Sequence, residues 1–165
     1  MAIRNCCRAL VVKDGKVLLC KTVFTRDDRC WWGLPQGAVC YDLPGGGQNR
    51  YETLEEAVVR ECLEETGYAV TVQRLAGVYE EIQLSEKFRE LYNAHAHKVH
   101  FIFLCDLADT PRAEPTELDM DMEGAEWVDL AAVDSLPIYP KTFRENLRRM
   151  LDAEETLFLG SKREE

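Results

Sequence analysis

Between Thr53 and Gly67 the chain admits few conformations other than one helix. Thr53-Leu54-Glu55-Glu56 is a capping box: the threonine hydroxyl can accept from the backbone three residues on, and the glutamate carboxylate can reach back. Good helix formers run on from there until Gly67, a residue type that readily takes the left-handed conformation ending a helix. The pattern predicts a helix over 54–65. At about 100° per residue, Glu61, Glu64 and Glu65 share one stripe, close in direction to Leu54, Ala57 and Val58. Like charges at this spacing repel, and partial burial adds to the cost. Taken alone, the triplet reads more readily as a solvated acidic face than as a site. A hard divalent cation, Mg²⁺ or Mn²⁺, would remove the penalty by taking the carboxylate oxygens as ligands.

The rest of the chain reads as strands around that helix. Residues 3–12 and 16–23 are apolar runs separated by Lys13-Asp14-Gly15, which predicts an antiparallel hairpin. Residues 68–83, 98–106 and 125–130 are rich in β-branched and aromatic side chains, the first with a bend at Gly77. Phe143, Leu147, Met150 and Leu151 recur at helical spacing after Pro140, predicting a second amphipathic helix. Between the hairpin and the first helix lies a long loop, roughly 25–41, followed by the Gly45-Gly46-Gly47 turn. The phrase Leu-Pro-x-Gly occurs twice there, at Leu34–Gly37 and at Leu43–Gly46. The expectation is one domain over 1–160 with a solvated tail at 161–165.

Composition narrows the partners. With 20 basic against 30 acidic residues, formally −10, the summed field repels polyanions, so no nucleic acid polymer is expected. A small anion escorted by a divalent cation remains compatible. The seven cysteines form no C-x-x-C pair, which fits reduced thiols in a cytoplasm better than a disulfide framework. No leader pattern opens the chain and no stretch approaches the ~18 apolar residues of a membrane span. A soluble, cytoplasmic protein is expected, with association into a homodimer left open.

Gly46, Glu52 and Arg60-Glu61-Cys62-Leu63-Glu64-Glu65-Thr66-Gly67-Tyr68 together resemble the Nudix signature, G-x5-E-x7-R-E-U-x-E-E-x-G-U, where U is a bulky aliphatic residue. Every charged and glycine position is met; Cys62 and Tyr68 depart from the pattern at two apolar positions. The register also separates the two Leu-Pro-x-Gly phrases. Counting from Gly37 places Leu43 and Tyr51 where Glu and Arg are needed, whereas Gly46 meets Glu52 and Arg60.

The resemblance implies an α/β fold, the Nudix α/β/α sandwich with a mixed β-sheet. It implies a hydrolase that cleaves a diphosphate linkage in a nucleoside diphosphate joined to another moiety, with Mg²⁺ or Mn²⁺ as cofactor. Carried over by position, Glu61, Glu64, Glu65 and the Gly45 carbonyl would hold the metal. Arg60 would orient Glu61, itself a candidate base, and Glu52 would assist from the helix start. Glu80, Glu81 and Glu123 are weaker candidates for an additional base or ligand. Trp31 and Trp32 could stack on a base or simply cover the sheet. The alternative is a Nudix-like module that binds a nucleotide without hydrolysing it.

Three further signals carry less. His95, His97 and His100 read as polar strand residues rather than a metal cluster. Asp119-x-Asp121-x-Glu123-Gly124 imitates a calcium loop, but its twelfth position is Leu130. Phe88, Tyr92 and Trp127 fit core or pocket equally. The substrate subclass is not legible. No proline follows Tyr68 before Pro111, as the family's ADP-ribose group would have, and no tyrosine lies within 81–88, as its diadenosine polyphosphate group would have.

Overall fold

The computed structural model describes residues 3–25, 35–118 and 121–164. Strands β1 (Arg4–Lys13) and β2 (Lys16–Val23) form the expected hairpin, turning through Asp14 and Gly15 with positive φ at both. Next come β3 (Val39–Asp42), β4 (Gly45–Gly47), helix α1 (Leu54–Thr66) and β5 (Val70–Gln83). A short helix α2 (Glu86–Leu91) and a 3₁₀ turn (Asn93–His95) lead into β6 (His97–Leu107). The chain then forms β7 (Met122–Asp129), a 3₁₀ turn (Leu130–Ser135), α3 (Lys141–Asp152) and β8 (Leu157–Glu164).

The sheet is mixed, as expected. β1 runs parallel to β6 from Arg4↔Lys98 to Val11↔Cys105; β6 pairs antiparallel with β5, and β5 parallel with β8. β2 is flanked by β3 and β7, both antiparallel. β1 changes neighbour along its length, taking β4 beside Cys6, Cys7 and Arg8 but β2 beside Val12 and Lys13.

Period-two alternation on β1 builds two cores. Cys7, Ala9 and Val11 pack with Ala57, Val58 and Cys62 of α1, while Leu10 packs on the opposite face with Phe143, Leu147 and Met150 of α3. A helix therefore covers each face, giving the α/β/α layers. The α1 cap is as anticipated: Thr53 Oγ1 accepts from the Glu56 N–H, the Thr53 N–H donates to Glu56, and Gly67 closes the helix at φ 74°. In β5 the pairing register shifts between Leu75 and Gly77, near the expected bend. The space there is full, since a Cβ on Gly77 would lie 2.9 Å from Met150 Sδ.

The expected Gly45-Gly46-Gly47 turn is instead strand β4, paired with Cys6, Cys7 and Arg8 of β1, and two further expectations change. The end of the long loop is strand, because Val39–Asp42 pairs with Val23–Cys20; four residues are too few to show as an alternating pattern. The tail is not free of the fold either. Residues 161–164 belong to β8 and pair with Glu80–Gln83, while Ser161, Lys162 and Arg163 keep their side chains in solvent. The backbone pairs even though the side chains read as solvated. The six described cysteines are buried and unpaired as thiols. Among the described residues no helix is long and apolar enough to cross a membrane.

Candidate active site

Three glycines bring backbone and carboxylates together. Gly45 sits at φ 137°, and a Cβ there would run into the Cys7 carbonyl of the neighbouring strand. A Cβ on Gly46 would lie 2.5 Å from a Glu61 carboxylate oxygen, so the Glu61 side chain occupies the space that a larger residue would need. Glu65, only 7% exposed, accepts the Gly45 N–H at 2.8 Å and the Cys20 thiol at 3.5 Å.

Arg60 lies between the acids. Its guanidinium contacts Glu52 at 2.7 and 2.9 Å, Glu61 at 2.9 Å and Glu64 at 2.8 Å, and donates to the Gly47 carbonyl at 3.1 Å. The repulsion expected within the glutamate triplet is thus largely answered by one cation. The paired environments differ. The hydrogen bond from Arg60 holds the Glu52 carboxyl below its ordinary range, whereas burial pushes Glu61 up against the opposing pull of Arg60. A partly buried carboxylate with a raised pKa is the better proton acceptor of the two. Among the described residues no three acidic, histidine or cysteine side chains converge as a ready metal cage. Glu61 and Glu64 face Arg60, and Glu65 faces Gly45.

On the other side of the glycine strand, Arg8 forms an ion pair with Asp42 at 3.0 Å and donates to the carbonyls of Leu43, at 3.0 Å, and Gly45. Burial raises Asp42 to about 6 although Arg8 opposes it. Beyond Arg8 opens a cavity of about 380 Å³, whose wall includes Gly45–Gly47, Glu65, Arg4, Lys98 and the aromatic rings of Tyr41, Tyr92 and Tyr139. Of the α1 carboxylates only Glu65 lines this cavity; Glu61 and Glu64, held by Arg60, do not, and the Arg4 guanidinium lies against Gly47.

The outlying candidates fall in different places. Glu81 is fully buried on β5 behind the cavity and bonds Lys98 at 3.1 Å, His100 at 3.4 Å and the Tyr139 hydroxyl. Glu80 faces the other way, to His97 at 2.8 Å and Ser161 at 2.6 Å, and Glu123 forms an ion pair with Lys21 at 3.0 Å; neither lines the cavity. Trp31 and Trp32 lie outside the described residues. Of the three aromatic candidates Tyr92 lines the cavity, Phe88 packs beneath it, and Trp127 donates to the Tyr68 hydroxyl at 3.1 Å on the α1 face. Arg8, Asp42, Lys98 and Tyr139 were not singled out from the sequence. The signal available was a basic residue inside an apolar strand run, Arg8 in "CCRALVV" and Lys98 in "HKVHFIF".

A NUDIX domain profile matches residues 6–153, nearly the whole chain. The chain belongs to the Nudix family. Among curated relatives it is 37% identical over 98 residues to an ADP-ribose pyrophosphatase of Methanocaldococcus jannaschii, a match covering 59% of this chain and 47% of that protein. It is 52% identical over 40 residues to a putative 8-oxo-dGTP diphosphatase of Bacillus subtilis, covering 24% and 27%. The chain thus spans about half or less of the length of these relatives. Among solved Nudix structures, a hydrolase from Nitrosomonas europaea superposes with TM-score 0.67 at 18% identity over 89% and 87% of the two chains. A MutT Nudix hydrolase from Burkholderia pseudomallei gives 0.55 at 29% identity over 79% and 86%.

Proposed function

We propose that this Nudix chain hydrolyses a diphosphate linkage in a nucleoside diphosphate joined to another moiety. Water attacks one phosphorus, the bridging P–O bond breaks, and the products are two phosphomonoesters. The observation that carries the reading is the junction of the Gly45–Gly47 backbone with Glu61 and Glu65, opening into a cavity with cationic and aromatic walls. The absence of Cβ atoms lets the Glu61 carboxylate and the Arg4 guanidinium come against this backbone, and the cavity that Gly45–Gly47 line, with Arg4 and aromatic side chains in its wall, suits a nucleotide.

The donors fit a divalent cation in kind: carboxylate and carbonyl oxygens are the hard ligands that Mg²⁺ and Mn²⁺ take. Glu61, Glu64, Glu65 and the Gly45 carbonyl would hold it. When bound, the cation supplies charge neutralisation at the phosphate and a more acidic water. Arg60, already in contact with Glu52, Glu61 and Glu64, sets the direction of those carboxylates. Glu61, whose carboxylate lies against Gly46 and is oriented by Arg60, would take the proton from the attacking water. Arg8 fixes the Gly45 carbonyl from the opposite side.

A screen of nucleoside diphosphate and triphosphate derivatives with Mg²⁺ or Mn²⁺, ADP-ribose included because of the archaeal relative, tests this by phosphate or phosphomonoester release. Turnover that survives excess chelator would overturn the metal requirement. Tight nucleotide binding without turnover across the whole screen would instead favour the binding-module reading.

A further inference from the structure

Gly46 is the glycine that opens the signature, but Gly47 falls at a position the signature leaves open. The structure gives it a use. A Cβ there would lie 2.6 Å from Cζ and 3.0 Å from Nε of Arg4, so the Arg4 guanidinium rests directly on the Gly47 backbone. Successive positions on a strand point to opposite sides. Glu61 therefore stands against one side of β4 and Arg4 against the other, and β4, three glycines long, puts no side chain between them.

Arg4 belongs to the cavity side. It shares a face of β1 with Cys6 and Arg8 and pairs in register with Lys98 of β6; all four line the cavity, whereas Cys7 and Ala9 pack against α1. Among the described residues three arginine or lysine side chains form part of the wall, Arg4, Arg8 and Lys98. Asp42 balances Arg8 at 3.0 Å, and Glu81 balances Lys98 at 3.1 Å. The Arg4 guanidinium has no carboxylate, carbonyl or hydroxyl partner among the described residues, and the residue keeps part of its surface in solvent. The wall thus holds one guanidinium whose charge is not compensated.

We propose that Arg4, seated on Gly47, is the substrate-binding residue that clamps the phosphate that is not attacked. The proposal rests on the diphosphate-hydrolase reading above and names the group that holds the second phosphate. The two phosphorus atoms of a diphosphate are one bridging oxygen apart, so the second phosphate stays at the Gly45–Gly47 edge while the first is at the carboxylates. Arg4 is the uncompensated cation on that edge. A guanidinium offers parallel N–H donors that match two oxygens of one phosphate. An internal phosphate carries a single negative charge, which a single guanidinium balances. A contact made equally before and during attack acts on binding rather than on the chemical step.

Calorimetric titration with the uncleavable α,β-methylene diphosphates of adenosine and uridine, in Mg²⁺, reads the clamp without turnover. Arg4→Met should weaken binding about ten-fold or more, the scale of a charge-assisted hydrogen-bonded contact. Arg4→Lys should lose less, since an ammonium keeps the charge but not the parallel donors. Gly47→Ala tests the same contact from the backbone side. Its methyl group displaces only the end of a flexible side chain, so the protein should melt near wild type and bind as weakly as Arg4→Met. Arg50→Met removes the same charge from an exposed residue outside the cavity and should change affinity by less than about two-fold. On the best substrate of the screen, KM for Arg4→Met should rise by the same factor as the dissociation constant, with kcat changed far less. Failure of both analogues to bind the wild type, an equal loss in Arg4→Met and Arg50→Met, or unchanged affinity in folded Arg4→Met and Gly47→Ala would each overturn the clamp. If the analogues bind through Arg4 but no diphosphate is hydrolysed, the hydrolase reading fails and the phosphate site stands. If a diphosphate is hydrolysed with a KM indifferent to Arg4, the clamp fails and the hydrolase reading stands.

Discussion

A Cβ added to Gly37 would meet nothing within 4 Å, whereas one added to Gly46 would meet the Glu61 carboxylate at 2.5 Å. The two glycines end the same four-letter phrase, Leu-Pro-x-Gly, yet their surroundings share little. From Pro35 to Ala38 the first copy is an open turn, held by the Gly37 N–H on the Phe24 carbonyl at 2.8 Å and by Ala38 on Pro35 at 3.1 Å. The second copy is held on every side. The Ala9 N–H donates to the Pro44 carbonyl, Arg8 to those of Leu43 and Gly45, and the Gly45 N–H to Glu65. In the first copy glycine serves local backbone conformation; in the second it serves close approach between elements far apart in sequence.

The widest separation between the copies should come from substitution at Gly46. Gly46→Ala must displace the Glu61 carboxylate, and we expect kcat/KM to fall about a hundred-fold or more, the scale of losing one preorganised charge-stabilising group. Melting temperature measured on the same variant shows whether the loss is local. Full activity in a folded Gly46→Ala protein would erase the distinction between the copies. A comparable loss is expected for Glu64→Gln, a change away from the glycines but on the same carboxylate stripe. Because Glu64 is paired with Arg60 at 2.8 Å, the substitution removes an ion pair rather than relieving like-charge repulsion. Removing this partly exposed pair should cost at most about 1 kcal/mol in a urea titration.

What could be read in advance divides along the same line. Helix α1, its caps and the hairpin are local patterns, and they appear within a residue or two of where periodicity and turn chemistry put them. The glycine register was legible because the signature spaces its residues along one loop and helix. Contacts between distant segments were not. Arg8 reaches Gly45 across 37 positions and Tyr139 reaches Glu81 across 58, and no spacing rule joins them. β4 is three glycines, poor strand formers, and is a strand only because β1 pairs with it through Cys6, Cys7 and Arg8. β8 carries a charged run that resembles a free tail until the edge of β5 is in view.

A smaller effect should appear in the pH dependence of stability, and only at the second copy. Asp42, next to Leu43, has its carboxyl raised from 3.8 to about 6 by burial, with Arg8 opposing. Between those values the unfolded chain releases a proton that the folded one keeps. The contribution of Asp42 to stability therefore declines as pH rises from about 4 through about 6, and is constant above that. Asp42→Asn, which mimics the neutral carboxyl, should remove this part of the slope. Urea midpoints at pH 4.5 and 7 for both proteins measure it. An identical pH difference in the two would show that Asp42 does not titrate in that window.

The smallest effect is expected at the first copy, and it isolates what the open turn does. Gly37 adopts φ 82°, a conformation that an L side chain takes at a cost of about 1–2 kcal/mol, and space is available for the methyl group. Gly37→Ala should therefore lose stability by that amount through backbone strain alone. Gly37→Asn should lose less, because asparagine tolerates the left-handed region better. In both variants kcat should stay within about two-fold of wild type, since Gly37 contacts none of the carboxylates and its turn is bonded to Phe24 rather than to α1. Phe24 does line the cavity, so a turn that moved it would raise KM before it changed kcat. Measuring stability, KM and kcat on both variants thus distinguishes strain in an isolated turn from a shift in the cavity wall. A fall in kcat comparable to that of Gly46→Ala would mean that the two phrases act on the chemistry together.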